Sequence, residues 1–196
     1  MKDYYQKHAK DYHDKTFQLD PNSILSPLVK QLAPKSKILD IGCASGRDLI
    51  WLSKKGFDVQ GLERASELAR MARENSGCNV IEADFKTFDF SSLDVDAIVA
   101  VGSLVHVGHD RLESVIKSCL RAVGRPGHIL MTLKEGQGFK EGSDGRIFAL
   151  WQENELEEIF QCLQLSIVDF SRQVSKIKRN DIWLGYVVKY DWTAPS

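Results

Sequence analysis

Several residues able to carry charge or move protons recur in this sequence at the ends of short apolar runs. Asp40 sits in "KILDI" and leads into Gly42, Gly46 and Arg47 of "DIGCASGRD". Glu63 ends "VQGLE", Asp84 follows "NVIEA", and His106 lies just past "VDAIVAVG". Glycines at a turn let the backbone approach a ligand and take positive φ. A carboxylate at a strand end can accept hydrogen bonds from two hydroxyls at once. A histidine titrates near neutrality and can take a proton. The set suits a nucleotide-like ligand on a glycine turn with an acid–base group nearby.

The surrounding pattern predicts how these residues are positioned. Strands are expected over 37–41, 57–63, 79–84, 95–102 and 127–134, alternating with helices over 48–56, 66–77 and 110–124. In the last helix Leu112, Val115, Ile116, Cys119, Leu120 and Val123 recur at helical spacing, and Asp110 is expected as its N-cap. Such alternation implies a parallel sheet with helices on both faces. A helix over 152–163 and strands over 165–174 and 181–190 follow. The short link between those strands predicts an antiparallel pair. Between them and the core, "LKEGQGFKEGSDGRIFALW" holds Gly136, Gly138, Gly142 and Gly145 and is expected to be a mobile substrate loop.

Length and composition bound the function. The chain has 196 residues, 43% hydrophobic and 27% charged, with a net charge of −1, which fits one domain with a substantial core. Without a basic excess, nucleic acid is not expected as a partner. The four cysteines, Cys43, Cys78, Cys119 and Cys162, form no close pair and read as reduced thiols. No apolar run nears the roughly 20 residues that span a bilayer, and "MKDYYQKHAKDYHDK" is no secretory signal. A cytoplasmic protein, monomer or homodimer, without membrane association is expected.

The glycine turn discriminates among cofactors. A dinucleotide fingerprint starting at Gly42 would need glycine at 44 and 47, where Ala44 and Arg47 stand. A phosphate-binding P-loop would need Lys-Ser or Lys-Thr after Gly46, and the chain has Arg47-Asp48. The turn resembles instead that of the class I S-adenosylmethionine-dependent methyltransferases, and is most similar to small stand-alone bacterial members such as the tellurite-resistance-like ones. These often carry "GCGSGRD" where this chain has "GCASGRD".

The resemblance extends over nearly the whole chain. It implies an α/β, Rossmann-like class I methyltransferase sheet of about seven strands, mostly parallel with an antiparallel C-terminal edge hairpin and helices on both faces. Residues 1–196 would form a single domain: a lid segment over 1–35, a cofactor-binding core over 36–134, and a substrate-side loop, helix and hairpin over 135–196. The implied cofactor is S-adenosyl-L-methionine, with S-adenosyl-L-homocysteine as product. Gly42, Cys43, Ala44 and Gly46 would line it. Asp40 would face its ammonium and Arg47 its carboxylate. Glu63 would hold the ribose hydroxyls, with Arg64 over the adenosine edge. Asp84 and Phe85 would meet the adenine, and Gly102 and Ser103 the methionine part. Ala44 departs from the family pattern and is expected at negative φ, its methyl turned from the cofactor.

In the lid, Tyr4, Tyr5, His8 and Tyr12 fall at helical spacing; Tyr12 is expected against the cofactor and Tyr5 against the substrate. His106 is the candidate catalytic base, with pocket-contact and structural roles open. With His109 it forms H-x-x-H, but no metal site is expected. Lys134, Arg146 and Arg179, with the neighbouring Lys176 and Lys178, are expected to form a cationic pocket for an anionic small-molecule substrate, walled by Trp183 or Trp151. The expected activity is methyl transfer to O or N of a small molecule. The alternatives are an RNA- or protein-modifying methyltransferase and a non-catalytic S-adenosylmethionine-binding protein.

Overall fold

The computed structural model describes residues 2–177 and 180–191. Two short helices, α1 (Lys2–Lys7) and α2 (Ala9–Thr16), lead into α3 (Asn22–Val29). The core alternates β1 (Lys37–Ile41), α4 (Arg47–Lys54), β2 (Asp58–Glu63), α5 (Ser66–Ser76), β3 (Val80–Glu82), β4 (Val95–Val101), α6 (Leu112–Cys119) and β5 (Val123–Glu135). A hairpin of β6 (Phe139–Glu141) and β7 (Ile147–Trp151) follows, then α7 (Glu153–Cys162), β8 (Ser166–Val174) and β9 (Ile182–Tyr190).

The main sheet runs β3-β2-β1-β4-β5-β9-β8. Its first five strands are parallel, and β9 is antiparallel to both β5 and β8. Period-two alternation divides the core between the two faces. Ile38, Ala97 and Val99 pack with Leu25 of α3, Leu49 of α4 and Ala72 of α5. Leu39, Ile98 and Ala100 face the other way, onto Ile116 of α6 and Phe160 of α7. The buried stripe on α6, Leu112, Val115, Ile116 and Cys119, is the one its spacing predicts.

Three details differ from the sequence expectation. Asp110 is not the N-cap of α6. The amides of Arg111 and Leu112 both donate to the Gly108 carbonyl, so the helix starts at Leu112 with Arg111 in the cap position. The helix also stops early, because Ala122 turns back to the Cys119 carbonyl and Val123 already pairs with Val95. The glycine-rich segment expected as a loop folds as the β6–β7 hairpin, Phe139 opposite Ala149 and Glu141 opposite Ile147. Pairing of β4 with β5 ends at Val101↔Thr132, and β7 then runs parallel to the last residues of β5 through Lys134↔Leu150 and Glu135↔Trp151. With β9 on its other side, β5 receives β7 on the flank that β4 leaves. The hairpin therefore stands at the carboxyl end of the sheet, where ligands bind in open α/β folds.

Candidate functional site

Residues 42–46 connect β1 to α4. Gly46 takes φ +90° at the N-cap of α4, and a Cβ there would press on the Ala72 backbone at 3.1 Å. Gly61, in β2 beneath the turn, has no positive φ but makes a close approach: a Cβ would meet Cys43 Sγ at 2.7 Å. The glycine lets the turn settle on the sheet, and burial holds the Cys43 thiol well above its usual range.

Ala44 corrects the sequence expectation. Its φ is +49°, in the left-handed region, not below zero. Its amide donates to Glu63 Oε2 at 3.0 Å, and the residue packs against the small cluster of Ala9, Ala65 and Leu68. The bond to Glu63 and this packing hold a conformation that costs a non-glycine residue about 1–2 kcal/mol. Ala44→Gly is therefore expected to leave urea-denaturation stability within about 0.5 kcal/mol of the parent or above it, because relief of strain offsets the lost methyl and the freer unfolded chain. At a negative-φ position the same change would cost roughly 0.5–1 kcal/mol, and a loss of that size would contradict the geometry.

Glu63, at the end of β2, is 6% exposed. Its Oε2 accepts from Ala44 and its Oε1 from the Ala65 amide at 2.9 Å. Burial raises its carboxyl, and these amides oppose the shift. Arg64 and Asp84 lie beside it, Nη1 to Oδ2 3.7 Å apart, and Asp84 Oδ1 accepts from the Lys86 amide. With Phe85, Ser103 and His106, these residues line one cavity. A second, larger cavity runs along Cys43, Ser45, Arg47 and Asp48. Tyr12, Gly42, Ala44, Val101 and Gly102 line both.

Arg47 lines the second cavity, but its guanidinium is held by a neighbour that the sequence reading missed. Nε and Nη2 donate to the two oxygens of Asp48 at 2.7 and 2.9 Å. Asp48 is buried in the first turn of α4; an acid directly after the arginine, on the face shared with Leu49 and Leu52, was the available signal. Asp40 is buried in β1 and lines neither cavity. Burial, reinforced by the Asp48 charge, raises its carboxyl well above the usual range, and its Oδ2 has no hydrogen-bond partner among the described residues.

The N-terminal helices cover the turn. His13 Nδ1 lies 2.9 Å from Ser45 Oγ, and Arg47 Nη1 reaches the Thr16 carbonyl at 3.5 Å. The rings of Tyr5 and Tyr12 meet edge to face, and Tyr4 stacks on His8. His106 Nδ1 is 2.7 Å from the Ile147 carbonyl, which can only accept. Nδ1 therefore carries the proton, and Nε2 accepts from the Tyr5 hydroxyl at 2.7 Å. Arg146 donates to that hydroxyl oxygen at 3.2 Å. Burial, with the charges of Arg146, Lys86 and Arg64, pushes the His106 imidazole down to about 4. It is neutral at pH 7, with its basic nitrogen occupied. His109 Nε2 likewise donates to the Leu150 carbonyl at 2.8 Å, so both histidines of the H-x-x-H pair pin β7.

Among the described residues, those expected to form the cationic pocket do not share one cavity. Lys134 is buried and donates to Asp181 Oδ2, while Lys140 donates to Asp181 Oδ1 at 2.7 Å. Arg146 is held by Asp144 and Tyr5, and Lys178 and Arg179 lie outside the described residues. Trp183 does line the larger cavity. Trp151 does not; it is buried against the His109 ring at 4.3 Å. All four cysteines are free, Cys162 at the surface. Among the described residues, no helix is long and apolar enough to cross a membrane.

Comparison with known proteins agrees with this geometry. Residues 38–127 match a family model described as a methyltransferase domain. The chain is 34% identical over 77 residues to a 23S rRNA (uracil(747)-C(5))-methyltransferase of Pyrococcus abyssi, covering 37% of this chain and 18% of that protein. It is 33% identical over 81 residues to cycloartenol-C-24-methyltransferase 1 of Oryza sativa subsp. japonica, covering 37% and 24%. The matched stretch thus spans less than a quarter of either relative. Among solved structures, the Burkholderia thailandensis 1,6-didemethyltoxoflavin-N1-methyltransferase superposes with a TM-score of 0.75 at 18% identity, covering 96% of this chain and 84% of that one. A TehB-like S-adenosylmethionine-dependent methyltransferase of Corynebacterium glutamicum gives 0.69 at 21% identity, covering 93% and 97%. Residues 38–127 thus match a methyltransferase domain, and in strand order and glycine turn the chain has the fold of the S-adenosylmethionine-dependent methyltransferases it superposes on.

Proposed function

We propose that the protein binds S-adenosylmethionine across the ends of β1, β2 and β4 and transfers its methyl group to an O or N atom of a small molecule. The observation that carries this reading is Glu63. Both its oxygens are fixed by backbone amides, and its carboxylate borders the cavity that Gly42, Arg64 and Asp84 share. Each carboxylate oxygen keeps a lone pair for a ribose hydroxyl. The buried, unpartnered Ser103 Oγ, on a residue that lines this cavity, is the kind of atom a polar ligand satisfies, so the residues present fit the cofactor.

Once bound, the cofactor supplies a methyl group on a cationic sulfonium, open to in-line attack by an acceptor lone pair. The protein's part is position and exclusion of water. Arg47 and Asp48 present both signs of charge to the amino-acid half. Asp84, Phe85 and Arg64 hold the base. Tyr5 and Tyr12 close over the adenosine cavity. His106 acts as a positioning residue: it holds Tyr5 through Nε2 and β7 through Nδ1. An amine acceptor needs no base before attack and releases its proton afterwards to water. The 1,6-didemethyltoxoflavin bound in the Burkholderia structure supports this substrate class. Calorimetric titration with S-adenosylmethionine and S-adenosylhomocysteine is expected to give one micromolar-range site for each; absence of binding would overturn the assignment.

A further inference from the structure

The larger cavity continues past the glycine turn into a region that the cofactor residues do not explain. It runs between the segment after α2 and the tip of the β8–β9 hairpin. Leu19 and Ile24 line it from the N-terminal side, Val174 and Ile177 from the hairpin. Val174 and Ile177 are 61% and 54% exposed, large apolar side chains at the mouth of a cavity. Trp183 forms the inner wall, its Cη2 3.5 Å from where a Cβ of Gly102 would stand. This places the indole beside the end of β4, next to residues that also line the adenosine cavity.

The polar groups of this extension nearest Trp183 and along β8 are neutral. Thr132, Ser171, Gln173 and Ser175 line it. Thr132 Oγ1 accepts from the Gly102 amide at 2.8 Å, which leaves its own proton to donate. Apart from Arg47 and Asp48, which hold each other, the charged residues lining it among the described ones are Asp20 and Lys176, and Lys176 Nζ donates to the Asp20 carbonyl at 2.9 Å. Lys134 approaches the Trp183 ring at 5.4 Å, but Asp181 compensates its charge. Beside Trp183, Thr132, Ser171 and Gln173 an anion would give up hydration, whereas a neutral ring would bury apolar surface on both partners.

We infer that this extension is the acceptor subsite and that it takes an uncharged, ring-bearing small molecule packed on Trp183. This rests on the methyltransferase reading above and replaces the anionic acceptor expected from Lys134, Arg146 and Arg179. A matched pair of probes tests it: 2-naphthol and 6-hydroxy-2-naphthoate carry the same hydroxyl and differ by one carboxylate. Their binding is read by fluorescence at pH 7 with saturating S-adenosylhomocysteine. The neutral probe is expected to bind at least tenfold more tightly, and Ile177→Asp, at an exposed position that folding tolerates, is expected to weaken it at least fivefold. Failure of S-adenosylhomocysteine to bind would overturn the methyltransferase reading. If it binds, this inference alone falls in three cases: the naphthoate binds as well as the naphthol, the naphthol does not bind, or Ile177→Asp leaves its affinity unchanged.

Discussion

Glu63→Gln is expected to lower affinity for S-adenosylmethionine at least a hundredfold, nearly as far as Glu63→Ala. The change is isosteric, so its effect isolates hydrogen-bond polarity. Both carboxylate oxygens already accept backbone donors, from Ala44 and from Ala65. An amide offers one acceptor and one donor, so one of those amides would face an N–H instead of an oxygen. A buried donor left unsatisfied costs about 1–3 kcal/mol. The loss falls on the turn itself, because the Ala44 bond is what holds that residue at positive φ. The ribose contact is lost in the same substitution. Calorimetry checks the affinity and urea denaturation the stability; full binding by the glutamine variant would remove Glu63 from the site.

Asp181→Asn is expected to destabilise the fold by about 3 kcal/mol, the range seen when one partner of a buried ion pair is removed. Asp181 joins Lys134 on β5 to Lys140 on β6, so one carboxylate ties the sheet to the hairpin. Burial alone would raise its carboxyl, but the bonds from Lys134 and Lys140 outweigh that and hold it below the ordinary value of 3.8. The sign of the pH dependence follows. Its contribution is complete above that value and is lost as pH falls through the lower folded-state value. The asparagine variant should therefore lose stability at neutral pH and show a shallower acid limb. The double variant Lys134→Met/Asp181→Asn should recover part of the loss, since it no longer buries the Lys134 charge. Urea denaturation from pH 3 to 7 distinguishes these outcomes.

What the sequence made legible follows from range. The strand–turn–helix around Asp40 and Gly46, and Glu63 at the end of β2, are local patterns whose physics is contained in a few residues. The alternation of apolar runs with helical stretches likewise placed the core strands, and helical spacing the buried face of α6. What stayed hidden depends on distant partners. Lys134 reads as a pocket cation until Asp181, 47 residues on, is seen to take it up. His106 reads equally as a base, a pocket contact or a structural group, because the Tyr5 hydroxyl that meets its Nε2 lies 101 residues away. Ala44 reads as a negative-φ residue because alanine alone prefers that, and the tertiary bond to Glu63 reverses the preference. The β6–β7 hairpin was hidden by its glycines, which signal turns strongly, while its paired strands are too short to show alternation.

The covering of the turn by α1 and α2 also has a kinetic consequence. Tyr5–His106, Arg146–Tyr5, His13–Ser45 and Thr16–Arg47 are four weak polar links, each contributing on the order of 1 kcal/mol. Together they make an open arrangement rarer by roughly two to three orders of magnitude, while leaving it reachable on every cycle. On the proposed function, a ligand as large as an adenosine conjugate is expected to enter through that minority state and its product to leave through it. Association and product release are then paced by one shared event, the parting of Tyr5 from His106. On that reading the helices that cover the turn also set how often the reaction can begin.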